Sequence, residues 1–270
     1  MVYLSKVTAF IRKEFLIQSS YWMAFIFSWL GILISAATFY FISKLLNSEN
    51  MISVKAYGAG YFPYVLIGIA FSGYFSTAMH TFSGNIRSEQ ITGTLEAMLV
   101  TPTRLSTIII SLSLWDFIFT SINAVIYLFF GAVFFKVDFT QMNIIASLLI
   151  LTLTVISLSG IGIISASFII VFKKGDPVSW LVTISSGFFS GVFFPVEVLP
   201  KYLRVFSYFL PLTYSLKGLR HAILQGYSIG MLLPEIAVLF AFCIILTPLS
   251  IKIFGYALRC AKISGSLTHY

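Results

Sequence analysis

The chain has 270 residues, of which 59% are hydrophobic and only 10% charged, with a net charge of +8. A soluble globular domain carries roughly 25% charge, so this composition argues against a water-soluble fold and requires lipid to solvate part of the surface. The cations are scattered rather than grouped in a basic run or stripe, so no nucleic-acid partner is expected, whereas orientation in a membrane and contact with anionic headgroups would use them.

Residues 1–15 place Leu4, Val7, Ile11 and Phe15 on one helical face, with Lys6 and Lys13 roughly opposite. This spacing predicts a helix lying in the membrane interface. Glu14 falls near the apolar face, and the alternative is that the segment simply begins the first span. The first uncharged run is too long for a signal-peptide core and has no clear small-residue cleavage site, so the segment is expected to be retained. Six uncharged runs follow, at 15–43, 56–86, 105–135 (broken by Asp116), 139–172, 177–196 and about 231–257. About 20 apolar residues cross a bilayer as helix. The runs are continuous rather than alternating, which favours helices over a membrane barrel. The expected fold is an all-α integral membrane protein with six transmembrane helices in a single domain, 1–270.

An even number of spans puts both termini on one side. That side would hold Lys6, Arg12, Lys13, Arg87, Arg104, Lys173, Lys174, Lys252, Arg259 and Lys262. The opposite side would hold Lys44, Lys55 and Lys136, plus Lys201, Arg204, Lys217 and Arg220 after the fifth run. The positive-inside rule then makes both termini cytoplasmic in a cell membrane.

Two segments are too long or too broken to be plain turns. Residues 87–104 read RSEQITGTLEAMLVTPTR. Thr94 can cap a short helix over 95–99, Glu96 in its first turn suits the helix dipole, and Pro102 ends it. A hairpin turn needs only a few residues, so this length and its apolar cluster suggest a docking surface rather than a solvated turn. Residues 195–226 contain Pro195, Pro200 and Pro211, which break a span, yet the segment is apolar and rich in aromatics. Two short helices, about 199–209 and 214–225, are expected to dip in and return on the outer side. Re-entrant backbone requires burial in protein or contact with water. Phe193, Phe194, Pro195 and Leu199 would then form a constriction, with Tyr202 and Phe206 at its interfacial edge. The alternatives are an anchoring role for these aromatics, or a seventh span.

No constellation for catalysis is apparent. The phosphate-binding pattern G-x-x-x-x-G-K-[ST] is missing, as are H-E-x-x-H and G-x-S-x-G. His80 stands alone in the second run and reads as a packed or interhelical residue. Asp116 reads equally as facing the bundle interior or as sitting near the interface. Cys243 and Cys260 lack metal-ligand spacing.

Two stretches carry a family resemblance. GTLEAMLVTPTR (93–104), after Glu89, resembles the loop between spans two and three of ABC-2 type permeases. SGVFFPVEVLPKYLRVFSYFLPLTYSLKGLRHAILQG (190–226) is similar to that family's signature before the last span. Its pieces are Gly191, Phe194-Pro195, Leu199-Pro200, Pro211-Leu212-Thr213, Gly218-Leu219-Arg220 and Gly226. The resemblance implies a type V exporter-like fold with an N-terminal interfacial helix, a cytoplasmic coupling helix and extracellular re-entrant helices before the last span. It implies two ATPase subunits docked beneath, which would bind ATP and Mg; this chain itself would hold no cofactor and would not be an enzyme. It implies a second permease copy or a related permease as partner, within membrane lipids. Glu89, Thr92, Gly93, Thr94, Leu95, Glu96 and Met98 would be the ATPase-coupling residues, and the segment after Pro195 the outer gate. The cargo would be an amphipathic or lipid-linked substrate such as a drug-like molecule, glycolipid or polysaccharide. The rival functions are a passive channel or scaffold and a membrane-embedded lipid-modifying enzyme.

Overall fold

The computed structural model describes residues 2–45, 57, 60–91, 105–172 and 177–263. Among these the regular structure is helical. The helices are α1 (Val2–Ser20), α2 (Trp22–Leu45), α3 (Tyr61–Ile91), α4 (Leu105–Val133), α5 (Ile144–Phe172), α6 (Pro177–Phe189), α7 (Lys201–Tyr208), α8 (Pro211–Leu224) and α9 (Leu233–Ile263). In lipid, unpaired backbone groups have no water to bond, so long apolar runs resolve into helices that satisfy themselves internally.

Among the described residues, five helices carry stretches long and apolar enough to cross a membrane: Trp22–Leu45, Tyr61–Phe82, Ser113–Val133, Ile144–Phe168 and Leu233–Ala257. The run expected as a fifth of six spans forms only a 13-residue helix, α6. At 1.5 Å per residue it is about 20 Å long, short of a ~30 Å hydrocarbon core. Pro195 and the bends over 190–194 stop it before the predicted end at 196. The first span also begins later than expected. The chain turns at Tyr21, so residues 15–20 belong to α1. Phe15 of α1 meets the Trp115 ring of α4 edge-on at 5.7 Å.

α3 is the central helix: 67% of its apolar stretch is buried, against 11% for α2. Ile67, Phe71, Tyr74 and Met79 of α3 share a core with Ile150 and Leu158 of α5 and Leu216 and Leu219 of α8. α9 packs chiefly along α5. Outer helices leave large apolar side chains bare, such as Phe27, Ile34 and Phe41 on α2, where lipid takes the place of a core.

α7 and α8 lie close to the predicted short helices. Pro211 occupies the first turn of α8, where its missing N–H costs nothing. α8 runs antiparallel beside the first three turns of α5. The Asn143 backbone N–H donates to the Ala222 carbonyl at 2.9 Å. Further along, Gly218 meets Ile150, and the Ser215 and Thr154 hydroxyls lie 2.6 Å apart. α8 is tied to α9 by Lys217, whose Nζ lies 2.9 Å from a Glu235 carboxylate oxygen.

Candidate functional site

α3 carries a polar feature toward each end. Toward its start, α8 sends Arg220 into the protein, where the side chain is 2% exposed. Its Nε donates to the Tyr64 carbonyl at 3.1 Å, and its Nη2 donates to the carbonyls of Gly191 at 2.8 Å and Val192 at 3.2 Å. The guanidinium carbon sits 3.4 Å from the centre of the Tyr64 ring. The Tyr64 hydroxyl donates to the Gly191 carbonyl at 2.9 Å. A planar, weakly hydrated guanidinium with several donors suits such a site better than a lysine ammonium would. Burial pushes the Arg220 pKa below its ordinary value, while the neighbouring tyrosines and Glu197 pull the other way.

This clip fixes irregular backbone. The carbonyls of residues 190–194 have no helical partner, and Arg220 supplies donors to two of them. Gly191 has φ +79°, a conformation open to glycine. Gly68 of α3 lets the loop approach: a Cβ there would stand 2.2 Å from the Val192 oxygen and 2.8 Å from Arg220 Nη2.

The expected gate residues sit next to the clip. Phe193 stacks on Phe39 of α2, with centroids 5.6 Å apart, and remains 37% exposed. Phe194 and Leu199 are half-buried and Pro195 is buried. Tyr202 and Phe206 of α7 are exposed, and Phe206 contacts the Phe189 ring at 5.7 Å.

Toward the other end of α3, an open groove of about 350 Å³ runs between α3 and α4. From α3 come Ser76, Thr77, His80, Thr81 and Asn85; from α4 come Asp116, Phe119 and Thr120. Thr77, Thr81 and Asn85 recur every four residues and so share a helical face, as do Asp116 and Thr120. The two faces zip antiparallel. The Tyr74 hydroxyl donates to Ser121 at 2.7 Å, and Thr77 and Thr120 hydroxyls lie 2.6 Å apart. Thr81 donates to Asp116 Oδ2, and Asn85 Nδ2 donates to the same oxygen at 3.0 Å. Asp116 stands eleven residues into α4 and lines this polar groove, which is the interior-facing of the two readings its sequence position left open. His80, which the sequence reads as a packed or interhelical residue, keeps an interaction in the fold. It is exposed on the groove wall, because α3 turns its small and polar face outward there.

Glu89 falls on the last turn of α3, with its side chain outside the described residues, as are Thr92, Gly93, Thr94, Leu95, Glu96 and Met98 altogether. Among the described residues, no group of His, Cys, Asp and Glu could hold a metal ion. The sequence reading did not single out Thr77, Thr81 or Asn85, although their four-residue spacing in an apolar run was visible. It counted Arg220 as an outer-side cation. Yet Arg220 follows Leu212 and Leu216 at the same spacing, which puts it on the buried face of α8.

Residues 5–224 match the family model described as ABC-2 type transporter. No curated protein matches the chain.

Proposed function

Because that match runs over residues 5–224, the chain belongs to the ABC-2 type transporter family, and on that premise we propose that it is the membrane-spanning permease subunit of an ATP-driven exporter. Members of the family generally work with ATPase subunits. ATP and Mg would be bound by those partners, with two permease subunits, identical or related, above them.

One observation carries the mechanism. α3, which runs through Glu89 to Ile91, and α4, which begins at Leu105, flank the 92–104 connection and are also the two walls of the polar groove. A loop that moves with closing ATPases therefore moves both walls of the groove. Glu89 and the stretch Thr92 to Met98 supply the docking surface in this reading, with Leu95 as its apolar contact and Glu96 as its charge. Transmission requires the two states of the bundle to differ in affinity for the ATPase conformations.

The outer end holds the gate. α8 leaves the level of Asn143 and reaches Thr154 of α5, eleven residues or about 16 Å into that helix. That depth supports a re-entrant hairpin of α7 and α8. With α6 as a short crossing, the spans become six and both termini cytoplasmic. Phe193, Phe194 and Leu199 then seal the path, and Tyr202 and Phe206 rest at the headgroup level.

Two experiments test the reading. The full chain purified from its native membrane should bring an ABC ATPase with it, and Leu95→Asp or Glu96→Lys should release that ATPase while the chain stays inserted. A chain that purifies alone and passes solutes without ATP would be a passive channel instead. For topology, cysteines placed at Asn50 and Ser228 should react with an impermeant thiol reagent from outside, and those at Ser88 and Gly175 should not. The reverse pattern would overturn the orientation.

A further inference from the structure

We propose that the α3–α4 groove recognises the cationic group of an amphiphile, with Asp116 as its counter-ion and Phe119 as its aromatic wall. The inference rests on the transport reading for its purpose, but its chemistry stands on the groove itself. The groove is large enough for a small ligand, at about 350 Å³. Asp116 is its charged residue, and the described residues that line it include no Lys or Arg. An anionic headgroup such as a phosphate or pyrophosphate would meet a carboxylate there, with the His80 imidazole as the one lining side chain that can take up a positive charge. A cation meets favourable charge instead.

The second observation is the ring. Phe119 stands three residues after Asp116, so both lie on one face of α4 and both line the groove. The Phe119 ring is braced by a T-shaped contact with Phe25 of α2, with centroids 5.4 Å apart. A carboxylate beside an aromatic face is the pairing that recognises ammonium and related cations. Thr81 and Asn85 both donate to Asp116 Oδ2, which holds the carboxylate in place from the α3 side. Ser76 stands exposed on the lip. The groove is lined largely by residues within the apolar stretches of both α3 and α4, so an amphiphile can keep its tail in lipid while its charged head enters the groove.

The test uses the full chain in lipid nanodiscs and two probes of nearly the same shape and opposite charge, radiolabelled tetraphenylphosphonium and tetraphenylborate. Saturable binding of the cation, no saturable binding of the anion, and at least a tenfold loss of cation affinity in Asp116→Asn are expected. Asp116→Glu should restore most of it. Ser76→Lys places a positive charge on the lip and should weaken cation binding by a similar factor, which keeps the test open if Asp116→Asn fails to insert. Equal binding of both probes, or unchanged cation affinity in Asp116→Asn and Ser76→Lys, would overturn the proposal. Comparing phosphatidylglycerol with phosphatidylethanolamine discs separates two sources of the cation. Competition in the second identifies a lipid ammonium headgroup, and no competition identifies a non-lipid amphiphile. Binding needs no ATPase, so a groove that fails here leaves the permease reading standing. A chain that lacks an ATPase partner leaves this binding intact.

Discussion

Two charged side chains meet α3, Arg220 near Tyr64 and Asp116 near Thr81, seventeen residues or about 25 Å apart along the helix. Arg220 is enclosed, spends its donors on three carbonyls and lies against an aromatic ring. Asp116 is held by two donors on one oxygen and still borders an open groove. A charge held by backbone carbonyls fixes structure, while a charge left beside open volume is available to a ligand. The start of α3 is therefore built as a clip, and the groove toward its other end is proposed as a receptor.

The largest expected effect breaks the clip. Arg220→Met strips the Val192 carbonyl of its donor and removes one donor each from the Tyr64 carbonyl and from the Gly191 carbonyl, which keeps the Tyr64 hydroxyl, at about 1–3 kcal/mol for a group left unsatisfied. Thermal unfolding followed by size exclusion should show a clear loss of stability. Arg220→Lys should not restore it, because an ammonium cannot reproduce the planar fork and the stacking. Gly68→Val should come next, at roughly 1–3 kcal/mol, since its side chain would drive into the Val192 carbonyl and Arg220. A melting temperature unchanged in both would mean that Arg220 is not a clip.

Asp116→Asn sharpens the contrast from the other side. The Asn carbonyl can still accept from Thr81 and Asn85, and the change sheds a charge that burial disfavours, so stability should move by less than about 1 kcal/mol while cation binding is lost. If Asp116→Asn melts as early as Arg220→Met, the two ends do not differ in kind.

The smallest effect concerns the link between α8 and α9. Burial pushes the Lys217 pKa down, the Glu235 carboxylate at 2.9 Å pushes it up, and the net is a rise above the ordinary 10.5. A raised lysine contributes stability that is fully present below its unfolded value and lost as pH rises through the folded one. Melting should therefore not register this pair between pH 7 and 10 and should fall only above about pH 10.5. The Lys217 side chain is 48% exposed, so solvent screens the pair and Lys217→Met should cost well under 1 kcal/mol at neutral pH.

Much of the fold was legible because lipid enforces it. Long uncharged runs have no stable option but helix, so five spans and the broken stretch after Pro195 follow from composition and proline alone. The short α6 was not legible: nothing in its apolar run marks the point at which Ser190 leaves the helix, because tertiary contacts with α3 set that point. Half of the groove was visible as Asp116 and His80. Its other half needed the pairing of α3 with α4, which places Thr81 and Asn85 opposite Asp116. The Arg220 clip depends on a loop geometry at Gly191 that no local pattern encodes.

The measurement closest to the centre of this account is transport in sealed vesicles that contain the chain and its co-purified ATPase. Labelled tetraphenylphosphonium should accumulate against its gradient only with ATP and Mg. Asp116→Asn should abolish that accumulation with the ATPase still bound, and Leu95→Asp should abolish it by releasing the ATPase. Flux that runs to equilibrium without ATP, and is indifferent to both changes, would contradict the account.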